Sequence, residues 1–259
     1  MLKIENVTKI FGKGSVNEKI AIDNINLAVG EGEFVTVIGG NGAGKSTLLN
    51  CISGVFEIDG GKILLDSADI SKNPEHVRSA YIGRVFQDPL MGTAFDMTIE
   101  ENLAIAFSKG KPRGLMPGVS RKDSAIFRER LALLEMGLEN RMKEKVGQRQ
   151  ALTLLMATIV KPKLLLLDEH TAALDPSIAK RVFELTDEIV KKNNLCTLMI
   201  THNMKAALEH GTRTIMMHDG KIIMDISGKE REGVTVEWLV EQFSRKSGTD
   251  LDNDRMLLG

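Results

Sequence analysis

Residues 2–38 read as short strands separated by polar turns. Leu2, Ile4 and Val7 alternate with Lys3 and Glu5, and Ile20 to Val29 alternates again around Asp23-Asn24, with Gly12 to Glu18 as the loop between them. Half-buried strands of this kind predict an antiparallel β layer. The pattern then changes. Phe34-Val35-Thr36-Val37-Ile38 is a nearly unbroken apolar run, a glycine-rich stretch follows, and Leu48-Leu49-Asn50-Cys51-Ile52 continues as a helix. Gly60-Gly61 to Asp66 predicts a further hairpin.

From about 88 to 150 the period becomes helical. Thr98 as N-cap and Glu101 three residues on predict a capped helix start. Lys109 to Ser120, rich in Gly, Pro and basic residues, predicts an exposed loop. Ile126, Phe127, Leu131, Leu133 and Leu134 give helical spacing over Asp123 to Met136. Leu164 to Leu167 is a short continuous apolar run that predicts a buried parallel strand. Asp175-Pro176 begins another helix, with Asp as N-cap and Pro at the first position. Leu195 to Ile200 is a third core strand, and Thr214 to Met224 a hairpin turning at Asp219-Gly220. Met199, Met216, Met217 and Met224 fall at core positions. These elements predict an α/β fold with a mainly parallel central sheet, an antiparallel β subdomain and a helical insertion. The expected organisation is a core of 1–87 and 151–245, a helical subdomain over 88–150, and a polar tail over 246–259.

Charge and cysteine usage narrow the function classes. The 34 Lys and Arg residues nearly balance 35 Asp and Glu, for a formal net charge of −1. No basic field marks a nucleic-acid partner, and 4% aromatic residues leave little for base stacking. Cys51 and Cys196 stand singly in apolar surroundings, which predicts buried thiols and a reducing compartment. No stretch approaches the length of a membrane span. A soluble, cytoplasmic chain is the expectation.

Two segments carry chemistry. Gly39-Gly40-Asn41-Gly42-Ala43-Gly44-Lys45-Ser46-Thr47 fits G-x-x-x-x-G-K-[ST] between a predicted strand and a predicted helix, the context that pattern requires. Glycines let backbone N–H groups wrap closely around phosphate oxygens, and the helix N-terminus adds positive potential. Lys45 reaches the β- and γ-phosphates of a nucleoside triphosphate and the Ser46 hydroxyl ligates Mg²⁺. The second segment is Leu164-Leu165-Leu166-Leu167-Asp168-Glu169, two carboxylates at the end of a buried strand, where ligands bind in open α/β sheets. Asp168 suits Mg²⁺, and Glu169 suits the water that attacks the γ-phosphate.

With these in sequence order, the chain resembles the ATP-binding subunits of ABC transporters over roughly residues 2–245. Residues 39–47 match the Walker A loop, and Leu164 to Glu169 match Walker B with its catalytic glutamate. Val85-Phe86-Gln87-Asp88-Pro89 looks like the Q-loop, Ala173-Leu174-Asp175 like the D-loop, and Ile200-Thr201-His202 like the switch histidine. Phe11 matches the aromatic that stacks on adenine, with Val16 near it. The resemblance implies a P-loop NTPase core of RecA type that binds ATP and Mg²⁺. It gives catalytic roles to Glu169, His202 and Gln87, and metal contacts to Ser46, Gln87 and Asp168. It also implies a head-to-tail pair of ATPase subunits, as homodimer or heterodimer. That pair would sit on permease subunits at the inner face of the membrane, with the segment Met91 to Met97 docking on them and a substrate-binding protein upstream. The run from Asp168 to Pro176 and the tail from Val234 to Leu258 look most like importers of amino-acid-like solutes.

One departure stands out. The family signature Leu-Ser-Gly-Gly-Gln belongs just before the helix that precedes Walker B, where this chain reads Lys145-Val146-Gly147-Gln148-Arg149-Gln150-Ala151-Leu152. The flanks match, but about five residues are missing between Gly147 and Gln148. Either an omitted glycine loop accounts for the gap, the reading the clean flanks favour, or the chain lacks the segment. In the second case Mg-ATP still binds, but the closed dimer and hydrolysis are weakened.

Overall fold

The computed structural model describes residues 1–88, 90–110, 118–145, 149–172 and 174–248. Strands β1 (Leu2–Phe11) and β2 (Lys19–Val29) open the chain, followed by β3 (Phe34–Gly39) and helix α1 (Lys45–Ser53). Next come β4 (Gly60–Leu65), β5 (Ala68–Asp69), the single turn α2 (Glu75–Arg78) and β6 (Ile82–Val85). Helices α3 (Ile99–Phe107), α4 (Arg121–Ala132) and α5 (Arg149–Thr158) precede β7 (Leu164–Asp168). The remainder is α6 (Pro176–Asn193), β8 (Cys196–Ile200), α7 (Met204–His210), β9 (Arg213–His218), β10 (Lys221–Ser227) and α8 (Val236–Ser247).

Two sheets result. The small one is antiparallel, in the order β2-β1-β4-β5. The large one runs β10-β9-β3-β8-β7-β6, with every neighbouring pair parallel except β10 with β9. Both hairpin turns that the sequence predicts are present, and each has two consecutive residues at positive φ: Asp66 and Ser67 at 49° and 66°, Asp219 and Gly220 at 44° and 74°. That conformation matches the twist of the flanking strands.

The leucine run of β7 shows why its pattern is unbroken. Leu164 and Leu166 belong to the apolar cluster shared with α1 and the small sheet, whereas Leu165 and Leu167 belong to the cluster beneath α3, α4, α5 and α6. Both faces of the strand are covered, so neither leaves room for polar residues. A third cluster joins β9 and β10 to α7 and α8 and holds Met204, Met216 and Met224, while Met199 and Met217 are buried in the other two. All four predicted core methionines are therefore buried.

Helix boundaries follow capping more than periodicity. Thr98 accepts from Glu101 N while the Glu101 carboxylate accepts from Thr98 N at 2.8 Å, the reciprocal box the sequence predicts. The next helix starts at Arg121, where Ser120 and Asp123 form a second box, and ends at Ala132, short of Met136, with Glu135 left-handed at φ 54°. Pro176 occupies the first turn of α6, but the Asp175 side chain makes no cap hydrogen bond. Helix α5 begins at Arg149, just inside the segment assigned to the helical insertion. Ser244 to Ser247 extend α8, which stops where Gly248 turns left-handed at φ 68°. Most of the predicted Lys109–Ser120 loop lies outside the described residues, as do Pro89, Ala173 and residues 249–259 of the tail.

Leu166 is fully buried in the first cluster. Truncating it in Leu166→Ala is expected to cost about 2–5 kcal/mol through lost contacts and the cavity left behind. The change is read as a lower urea midpoint with an unchanged denaturant slope.

Candidate functional site

The parallel register brings the chemistry to one edge. Val37 of β3 and Asp168 of β7 both align with Ile200 of β8, and Val85 of β6 aligns with Leu167. The residues just past those strand ends therefore meet: the phosphate loop after β3, Gln87 after β6, Glu169 after β7 and His202 after β8. They line a cleft of about 410 Å³.

The loop's glycines are required by their surroundings. Gly39 has φ 146°, and a Cβ there would lie 2.2 Å from the Met217 carbonyl oxygen; at Gly44, with φ 97°, it would lie 2.5 Å from that of Ala21. Gly44 also caps α1. The loop is tied to the β9–β10 turn by Gly220 N donating to Ala43 O at 3.0 Å. Residues Asn41 to Thr47 all line the cleft, while Gly39 and Gly40 act from behind it. Their carbonyls accept hydrogen bonds from Lys45 Nζ at 2.7 and 2.9 Å. Lys45 is only 5% exposed. Desolvation pulls its pKa below the usual lysine range, opposed by the Glu169 and Asp168 carboxylates.

Glu169 is held on two sides. Gln87 Nε2 donates to its Oε2 at 3.0 Å, and His202 Nε2 stands 2.6 Å from its Oε1. Its backbone is left-handed at φ 45°, rare for a non-glycine residue and typical of functional positions. Asp168 lies deeper. Burial pushes its carboxyl above the usual aspartate range, opposed by the Arg84 guanidinium. Arg84 Nη2 is 3.6 Å from Asp168 Oδ2, whereas Asp168 Oδ1 is buried with no hydrogen-bond partner.

Phe11 lines the cleft, edge-on to Phe56 at 5.3 Å, with Lys9 Nζ 5.5 Å from its ring centre. Val16 does not join it: it is fully exposed in the loop after β1 and forms no part of the cleft wall. Two lining residues had no sequence signal, Lys19 and Ala21 on β2. Lys19 pairs directly with Phe11 across the strands, so only the register reveals it.

A family model described as ABC transporter matches residues 22–172, more than half of the chain. A tyrosine transport ATP-binding protein of Clostridioides difficile is 44% identical over 248 residues, covering 94% of this chain and 98% of that protein. The chain belongs to the ABC transporter family. An energy-coupling factor transporter ATP-binding protein of Clostridium tetani is 32% identical, over 86% of this chain and 78% of that one. The dimeric ATP-binding cassette MJ0796, in a post-hydrolysis state bound to ADP and Pi, superposes at a TM-score of 0.75 with 27% identity, covering 88% and 98% of the two chains. This ABC protein is thus an ATP-binding ATPase subunit of a transporter, built on the P-loop fold. Among the described residues no helix is long and apolar enough to cross a membrane.

The signature gap belongs to the sequence itself. The full sequence runs from Gly147 directly to Gln148, so the omitted loop favoured above is not the explanation. Residues 146–148 lie outside the described residues. Ala173 of the D-loop does too.

Behind Glu169, His170 is 1% exposed, with Nε2 3.3 Å from Thr186 Oγ1. It lies edge-on to Phe183, whose other neighbour is the stacked ring of His210, itself 2.8 Å from Asp187 Oδ2. Desolvation, with a smaller contribution from His210, pulls the His170 pKa from 6.5 to about 4. Between those values the unfolded chain binds more protons, so stability rises with pH and is lost as pH falls, by up to about 3 kcal/mol. His170→Gln should flatten that slope, as read from urea midpoints between pH 6.5 and pH 4.5.

Proposed function

We propose that this chain hydrolyses Mg-ATP at the cytoplasmic face of a membrane to drive uptake of a small amino-acid-like solute through separate permease subunits. The observation that carries the reading is the clamp on Glu169, whose two carboxylate oxygens are held by Gln87 and His202 at the mouth of a phosphate-binding loop. Lys45 leaves the Gly39 and Gly40 carbonyls for the β- and γ-phosphates. Glu169 takes the proton of the attacking water as its oxygen bonds to the γ-phosphorus and the bridge to ADP breaks. His202 donates to the γ-phosphate as charge builds on it. Phe11 faces the base.

The residues fit Mg²⁺. Ser46 hydroxyl, Gln87 amide and Asp168 carboxylate are hard oxygen donors, and Asp168 Oδ1 is buried without a partner. Among the described residues no cluster of three His, Cys, Asp or Glu side chains could hold a metal alone. When bound, Mg²⁺ supplies neutralisation of the charge on the β- and γ-phosphates.

The solute class rests on the tyrosine transport relative. Exposed Met91, Phe95 and Met97, beside the Q-loop, form an apolar face of the kind that docks a permease helix. The absent signature favours a second reading of the pairing: a heterodimer in which a partner subunit's signature closes over the ATP held here. Alone, the chain then binds Mg-ATP and turns it over slowly.

Glu169→Gln separates enzyme from binder. Turnover in the assembled transporter should fall about 10²–10⁴-fold with ATP affinity retained; unchanged turnover removes Glu169 from the reaction. For the purified chain, inserting the missing residues so that Leu-Ser-Gly-Gly stands ahead of Gln148 should raise turnover about 10²-fold. No gain would mean that the shortened segment is not what limits hydrolysis.

A further inference from the structure

Arg84 is a guanidinium on a parallel strand of the central sheet, with a side chain only 11% exposed. Leu166, its register partner on β7, faces the apolar cluster around α1. A buried charge at such a place is costly unless its donors are used. Three contacts hold it. Nη1 donates to Ser53 Oγ, on the last turn of α1, at 2.9 Å. Nη2 faces Asp168 Oδ2 at 3.6 Å. The plane lies over the Phe86 ring, 4.6 Å from its centre. The Nε donor is left buried and unpartnered, so the group is oriented for the two Nη contacts at the expense of the third. Unsatisfied buried donors are rare enough to need a reason.

The reason lies in the two oxygens of Asp168. One faces Arg84 and the other, Oδ1, is buried with nothing to bond. We propose that Arg84 is a positioning residue for the metal: by engaging Oδ2 from inside the sheet it fixes the carboxylate so that Oδ1 is presented to the Mg²⁺ that arrives with ATP. Ser53 sets the guanidinium from α1, the helix that also carries Lys45 and Ser46, and Phe86 sets it from the residue before Gln87. One side chain thereby ties the ends of α1, β6 and β7 to a common geometry. This rests on the proposed role of Asp168 toward Mg²⁺.

The test is ATP affinity of the full chain measured with Mg²⁺ and with EDTA, beside thermal midpoints. Arg84 touches neither the phosphate loop nor Lys45, so the affinity of Arg84→Met in EDTA should stay within about twofold of the parent. The gain that Mg²⁺ brings should shrink about 10-fold, the usual effect of removing a group that orients a metal ligand. The Mg²⁺ concentration for half-maximal hydrolysis should rise by a similar factor. Arg84→Lys keeps the charge but cannot reach Ser53 and Asp168 together, and should fall between. A purely structural arginine would lower the thermal midpoint and leave the Mg²⁺ gain intact, and that result overturns the proposal. If Arg84→Met does not fold, Ser53→Ala decides, with a two- to threefold loss of the Mg²⁺ gain expected and an unchanged gain counting against. Asp168→Asn separates the two levels. Should it abolish the gain while folded Arg84→Met keeps it, only Arg84's role fails. Should Asp168→Asn itself keep the gain, the metal-facing role of Asp168 fails and the proposal with it.

Discussion

A parallel sheet covered on both faces has little room left for polar chemistry except at its ends, and this molecule is arranged around that constraint. Leu164 and Leu166 pack toward α1, Leu165 and Leu167 toward the helices on the opposite side, so the first residues of β7 free to be acidic are Asp168 and Glu169. The same holds for the largely apolar β3 and β8, and β6 ends level with them. Four strand ends then deliver a phosphate loop, an amide, two carboxylates and an imidazole to one cleft, without any of them having to be neighbours in sequence.

Two of the charged groups in the cleft are bonded within it. Lys45 spends its ammonium on the carbonyls of its own loop, and Glu169 is bonded by Gln87 and His202. These contacts keep buried polar groups paired, and they also define what a triphosphate has to replace. Its β- and γ-oxygens offer Lys45 stronger, charge-assisted partners than neutral carbonyls do. A γ-phosphate approaching His202 competes with Glu169 for the imidazole, which frees a carboxylate oxygen at the point where a water would attack.

Much of this was legible in the chain, and the residues show why. The glycine loop, the leucine run and its acids, and the Asp219-Gly220 turn are local patterns in which neighbours in sequence are neighbours in space. Capping boxes are equally local: Ser120 and Asp123 begin α4 ahead of the apolar spacing at Ile126 and Phe127, because periodicity locates a helix while the cap sets where it starts. Lys19 and Arg84 were illegible for another reason. One matters through its cross-strand register with Phe11, the other through burial beside Asp168, and neither relation exists until strands pair. Val16 shows the converse: closeness to Phe11 in sequence did not bring it to the cleft, because the loop carrying it turns outward.

The shortened signature and the intact cleft are separable facts. The groups proposed here to meet phosphate, metal or attacking water sit on the phosphate loop, at the start of α1 and at the ends of β6, β7 and β8. The signature acts on a neighbour's nucleotide, so its loss leaves this half-site chemically whole and removes what the chain would offer in return. In the heterodimer proposed above, that division of labour would leave one productive site and one without signature contacts. Within that proposed pair the strand-end chemistry of this subunit would be retained, and the partner's nucleotide would be the one held less tightly.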